Sequence, residues 1–160
     1  RLLSFLDPTA DPYGAGLNTI QARIAVGSGG IVGRGLYAGP QTQGGFVPVN
    51  DSDFVFSVAA EELGLLGALL LLALLAVILW RGLLIAFGSR DMFGRLIAVG
   101  VVAWFGIQAF ENVGMNLGVT PVTGVTMPFV SYGGSSMIAA WLGIGLLQLV
   151  RLTSSPPPRG

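Results

Sequence analysis

Asp53 stands in the string Phe46-Val-Pro-Val-Asn-Asp-Ser-Asp53-Phe-Val-Phe56, immediately ahead of a long apolar run. A carboxylate at the mouth of a bilayer-buried helix costs free energy unless it is solvated, paired or at work. Asp51, Glu61 and Glu62 share that stretch, so four carboxylates repel one another there unless cations, hydrogen bonds or bound protons offset them. The chain contains no histidine, lysine or cysteine. Proton transfer near neutral pH therefore falls to a carboxylate, a tyrosine or water, and disulfides and thiolate metal sites within the chain are excluded.

Opposite charge comes from arginine alone. Gly27-Ser-Gly-Gly-Ile-Val-Gly33-Arg34-Gly35 is either a flexible turn or a nest of backbone amides that, with Arg34, faces a phosphate. It is not a Walker sequence, because the lysine and the following hydroxyl are missing. Arg1, Arg23 and Arg34 lie near the acidic stretch, and two roles are open to them: ligand or partner chemistry, or salt bridges to Asp7, Asp11 or the acidic cluster.

The elements that must position these groups are membrane helices. Of 160 residues 52% are hydrophobic and 10% charged, a membrane-like balance, and the 25 glycines suit helices whose backbones approach closely. A first span is anchored by Leu63 to Trp80 and extends back through Phe54 to Ala60. A second runs Leu96 to Phe110 and either stops at Glu111 and Asn112 as a short tilted span or continues past them. A third runs from about Phe129 to Val150. Residues 112–150 carry no charge, yet 112–136 are rich in glycine, proline, threonine and serine, which predicts a re-entrant loop covered by protein. Before the spans, Phe5-Leu-Asp-Pro-Thr-Ala-Asp-Pro12 is turn-rich, and Leu17 to Val26 has helical apolar spacing for a segment lying on the interface. Residues 153–160, with Ser154-Ser-Pro-Pro-Pro158, read as a disordered tail. The expected fold is all-α: a polytopic membrane protein with about three transmembrane helices, a long external loop over residues 1–54, and the transmembrane part over residues 55–152.

Arg81, Arg90 and Arg95 bracket the first connection and Arg151 and Arg159 follow the third span, so the positive-inside rule places those ends in the cytoplasm. Asp53 and the Pro/Gly-rich loop then share the outer face.

Ile20-Gln21, Ile24-Ala-Val-Gly-Ser-Gly-Gly30, Gly33-Arg-Gly-Leu36, Asp53-Phe-Val-Phe56, Glu61-Glu-Leu-Gly64, Asn112-Val-Gly-Met115, Pro121-Val-Thr-Gly124 and Pro128-Phe-Val-Ser-Tyr-Gly-Gly-Ser-Ser136 occur in this order. Together they resemble the SEDS family, most like its RodA branch through Phe5-Leu-Asp-Pro8 and Asn18-Thr-Ile-Gln21, although Thr126-Met-Pro-Phe129 leans toward FtsW. The resemblance implies a peptidoglycan glycosyltransferase of the bacterial plasma membrane. It would polymerise lipid II into a nascent glycan strand on the outer face, with a class B penicillin-binding protein as partner. Membrane lipids surround it, and nucleic acid is not an expected partner. These residues would be the carboxyl-terminal part, beginning in the large external loop.

Asp53 matches the family's essential aspartate and is the expected base; as an alternative or in addition it caps the helix that starts at Phe54. Arg34, where the family often has lysine, is expected on the pyrophosphate, with Gln21, Ser28 and Glu61 as further substrate-binding residues. Glu61 could instead pack or pair with an arginine. No cofactor is fixed by the sequence, and a divalent cation, Mg2+ or Mn2+, could be held by Asp53 and a neighbour. Val49 departs from the acidic residue often found there, and Asp51 takes no catalytic role. Ser131, Tyr132, Ser135 and Ser136 are expected to satisfy backbone groups rather than touch substrate. A lipid II flippase and a noncatalytic scaffold for the penicillin-binding protein are the rival readings.

Overall fold

A computed structural model describes residues 15–35 and 53–154 of the chain. The turns before Pro12, the partners Asp7 and Asp11, Asp51, Val49 and the tail from residue 155 lie outside the described residues. All regular structure among those described is helical.

The first helix, α1 (Ala15–Ser28), ends where Gly29 and Gly30 follow. Its inner face is made of small residues: Ala22 and Ala25 are fully buried against Phe54 and Val122. Small side chains let α1 lie close on its neighbours, and Gly29 approaches so near that a Cβ there would run into the carbonyl oxygen of Ala60.

The second helix, α2 (Val55–Gly88), is 34 residues long, about 50 Å at 1.5 Å per residue, and too long to be one upright span. It is broken at Gly64, whose φ of 71° and ψ of −168° belong to a region essentially reserved for glycine. An unrepaired break would strand main-chain donors and acceptors in an apolar setting, where each costs several kcal/mol. Here the turn after α1 supplies the partners. Arg34 N and Gly35 N donate to the carbonyls of Glu61 and Glu62, both at 3.1 Å. In return Leu65 N and Leu66 N donate to Gly30 O and Ile31 O at 2.9 and 3.2 Å. Gly33 and Gly64 meet backbone to backbone, and a Cβ on either would overlap the other segment. The glycine cluster is thus a docked turn, and Leu65–Gly88, about 36 Å long, is the spanning piece.

The third helix, α3 (Met92–Leu117), starts at Asp91, whose side chain accepts from Gly94 N at 3.1 Å, and stops at Gly118 in the left-handed region (φ 70°). It continues past Glu111 and Asn112, so the first six residues of the expected loop are helical. Glycine and asparagine lowered helix propensity there, but Asn112 and Asn116, four apart, share a buried face whose hydrogen bonds outweigh it.

The fourth helix, α4 (Gly134–Ser154), begins five residues later than the expected third span. Phe129, at φ 64°, turns the chain instead, and Ser131 Oγ accepts from Met127 N at 2.7 Å. The connection 118–133 is covered by protein at its centre: Met127 packs with Phe56 and Ala60, and Phe129 makes edge-on contacts with Phe105 and Trp141.

α2 packs most extensively on α3, α1 lies against both at one end, and α4 completes the bundle. Helices cross closely where Gly82 meets Val102 and Gly143 meets Phe105. Outward, Leu65, Leu66, Leu69, Leu70 and Leu74 are all more than half exposed, which a water-facing surface would not tolerate, and three helices are long and apolar enough to cross a membrane. This is a multi-pass membrane protein.

Candidate functional site

Asp53 is the residue before the cap of α2; the cap position itself is Phe54. Burial of Phe54 against Ala22, Ala25 and Val122 pins the start of the helix to α1 and to the 118–133 connection. The Asp53 carbonyl oxygen accepts from Asn112 Nδ2 at 3.0 Å and from Asn116 Nδ2 at 3.2 Å. Gly124 stands beside the carboxylate: a Cβ on it would lie 3.5 Å from Asp53 Oδ2. Asp53 is partly exposed, and the nearest approach to its carboxylate from the 118–133 connection is at a glycine.

A second cluster sits about 10 Å further along α2, two helical turns on. Glu61 is fully buried and its Oε1 receives Ser28 Oγ at 3.4 Å; Ser28 Oγ also donates to Ala25 O at 2.9 Å. Arg34 Nε donates to Ser28 O at 2.9 Å from an exposed position. Ser28, Arg34 and Glu61, three of the residues expected to bind substrate, are thus brought together, but in unlike states. Arg34 is accessible, whereas Glu61 offers no surface and ties α2 to α1 from inside. Gly27 and Ser28 lie in the last turn of α1, the negative end of the helix dipole, so their amides do not form a phosphate nest. Gln21 lies on α1 with its Oε1 buried and without a hydrogen-bond partner among the described residues.

Arg23, open to ligand or salt-bridge roles in the sequence, does something else. Its Nε and Nη2 donate to Leu117 O and Gly118 O at 2.8 and 3.1 Å, satisfying carbonyls at the end of α3. Thr123 Oγ1 donates to Glu111 Oε2 at 2.9 Å, fastening the loop to α3. Ser131 and Ser136 satisfy backbone groups, the latter through Gly133 O at 2.9 Å, while Tyr132 is 83% exposed and so is not a buried strut. Asn112 and Asn116 are the members of the site that a search for charged or nucleophilic residues passes over. Their i, i+4 spacing in an otherwise apolar run was the available signal.

No three acidic, histidine or cysteine side chains gather into a metal site among the described residues.

The sequence matches the model of the cell cycle protein family FtsW/RodA/SpoVE over residues 1–155. The chain belongs to this family. It is 46% identical over 150 residues to the peptidoglycan glycosyltransferase MrdB of Escherichia coli strain K12, covering 94% of this chain and 40% of that protein. Stage V sporulation protein E of Bacillus subtilis strain 168 is 45% identical over 148 residues, covering 92% and 40%. Among solved structures, one described as a peptidoglycan synthase complex that coordinates polymerization and crosslinking contains a chain similar at a TM-score of 0.80 and 37% identity. That match covers 96% of this chain and 41% of the other. The chain thus spans about two fifths of the length of these FtsW/RodA/SpoVE relatives, and both clusters lie within the matched part.

Proposed function

We propose that this chain forms the carboxyl-terminal, membrane-embedded part of a peptidoglycan glycosyltransferase that polymerises lipid II on the outer face of a bacterial plasma membrane, beside a class B penicillin-binding protein. The observation that carries the reading is the setting of Asp53: a carboxylate at the mouth of a spanning helix, anchored through its main chain and facing bare backbone at Gly124.

In this reading the Asp53 carboxylate takes the proton from the 4-hydroxyl of the acceptor N-acetylglucosamine. The freed oxygen attacks the anomeric carbon of the donor sugar, a glycosidic bond forms, and the bond to the polyprenyl pyrophosphate breaks, the electron pair leaving with the phosphate. Arg34, exposed and adjacent to the second cluster, meets the charge that develops on the leaving group. Glu61 and Ser28 hold the turn that carries Arg34.

A flippase would use a broken membrane helix differently, with unwound carbonyls and helix ends turned toward an ion or headgroup. The break at Gly64 turns its carbonyls and amides toward residues 30–35, which favours a fixed scaffold over a moving ion site.

Asp53→Asn in the full-length protein tests the assignment. The amide keeps the shape but loses the basic lone pair, so polymerisation of purified lipid II should fall by ~10² to 10⁴ with the protein still folded. A rate above about a tenth of wild type would move the base elsewhere. Headgroup transfer across sealed vesicles without glycan formation would favour the flippase.

A further inference from the structure

We propose that Asn112 and Asn116 are positioning residues for the Asp53 carboxylate, an inference that rests on the reading of Asp53 as the base. Both are fully buried on one face of α3, one turn apart. Asn112 Nδ2 bridges two segments, donating to Asp53 O at 3.0 Å and to Val125 O at 2.8 Å. Asn116 Nδ2 donates to the same Asp53 oxygen at 3.2 Å and to Asn112 O at 2.7 Å, with a longer contact to Asn112 Oδ1 at 3.3 Å. Its Oδ1 accepts from Ser57 N at 3.1 Å and from Ser57 Oγ.

Every polar atom of the two amides is therefore used, and each bond locks something that surrounds the carboxylate. Asp53 O fixes the residue itself, Ser57 fixes the first turn of α2, and Val125 O fixes the strand of loop next to Gly124. An apolar pair could fill the volume but would strand the carbonyls of Asp53 and Val125 and the amide of Ser57, which costs free energy in a buried setting. What an apolar pair cannot do is hold three backbone segments at set distances. Proton transfer demands that hold, because a base misplaced by about 1 Å loses roughly 10²-fold in rate. The asparagines touch no substrate; they act through Asp53.

The test is lipid II polymerisation by the full-length enzyme, with kcat and KM measured separately. Asn116→Ala should lower kcat by about 10- to 100-fold while KM for lipid II stays within about twofold. In the Asp53→Asn background the same substitution should lower the residual rate no further, since nothing remains to be positioned. If Asn116→Ala keeps kcat within about twofold, or lowers the residual rate of Asp53→Asn as much as it lowers wild type, the positioning role is overturned. Should Asn116→Ala not fold, Ser57→Ala decides. It removes one donor to Asn116 Oδ1 and leaves Ser57 N in place, and it should reduce kcat several-fold at constant KM; an unchanged kcat overturns the proposal. A wild-type rate for Asp53→Asn alone identifies the other failure, that of the base assignment.

Discussion

At the scale of single residues, charge type was readable in the sequence and charge use was not. Asp53 stood out because a carboxylate before an apolar run is costly, and the structure holds its main chain through Asn112 and sets Gly124 beside its carboxylate. Arg23 and Arg34 carried the same formal signal, yet both reach carbonyls at helix C-termini, Arg23 on α3 and Arg34 on α1. Whether a guanidinium meets a phosphate or a carbonyl depends on which helix end folds beside it, and that is a tertiary fact. For Arg34 the two uses are separable. Arg34→Lys keeps a cation at an exposed position and should retain much of the activity, whereas Arg34→Ala should lose about 2 to 4 kcal/mol of transition-state stabilisation. The measurement is polymerisation rate against lipid II concentration, after correction for the folded fraction. An alanine variant that loses stability but keeps its rate per folded molecule would leave Arg34 with the cap alone.

At the scale of elements, the three spans were legible because their apolar runs are long, while their ends were governed by contacts distant in sequence. The leucine-rich run gave no sign of a break in α2, since Gly64 is one glycine among many and the segment that repairs the break lies thirty residues earlier. The end of α3 stayed open in the sequence, and the loop was expected from residue 112, for the matching reason: asparagine reads as a loop residue until its partners on α2 and in the 118–133 connection are known. Gly64→Ala should cost about 1–3 kcal/mol from backbone strain alone, and more from the overlap of its Cβ with Val32 and Gly33. Gly100→Ala, at a helical position in α3 with open space around it, should be neutral or stabilising by up to about 1 kcal/mol. Thermal unfolding in detergent compares the two. Equal midpoints would mean that the turn over residues 29–35 does not bear on α2 in the assembled protein.

At the scale of the whole molecule, the bundle has chemically unlike ends. Asp53, Glu61, Glu62 and Glu111 gather where α1 docks, and Arg81 and Arg151 line a common groove of about 500 Å³ with Gln148 and Ser154 at the other end. Arg95 Nη2 donates to Ser89 O at 3.0 Å nearby. The arginines around the connections foreshadowed the basic end, whereas Arg23 and Arg34 lie at the acidic end against the simple positive-inside rule, where a long loop weighs little. Cysteines placed singly at Tyr132 and Val119, both exposed near the acidic end, should react with an impermeant thiol reagent added to intact cells, and one at Arg90 should not. These 160 residues contribute no native cysteine to the background. Outside labelling of the Arg90→Cys protein would reverse the orientation and place Asp53 on the wrong face for wall synthesis.

The mended break in α2 has a kinetic signature. Four amide protons that sit far apart in the chain, those of Arg34, Gly35, Leu65 and Leu66, belong to one set of reciprocal bonds, so none can be released without loosening the others. Under deuterated buffer they should exchange as a single unit, with one opening free energy, distinct from the slower amides deeper in Leu65–Gly88. The first turn of the spanning helix would then report, amide by amide, on the docking of a turn outside it.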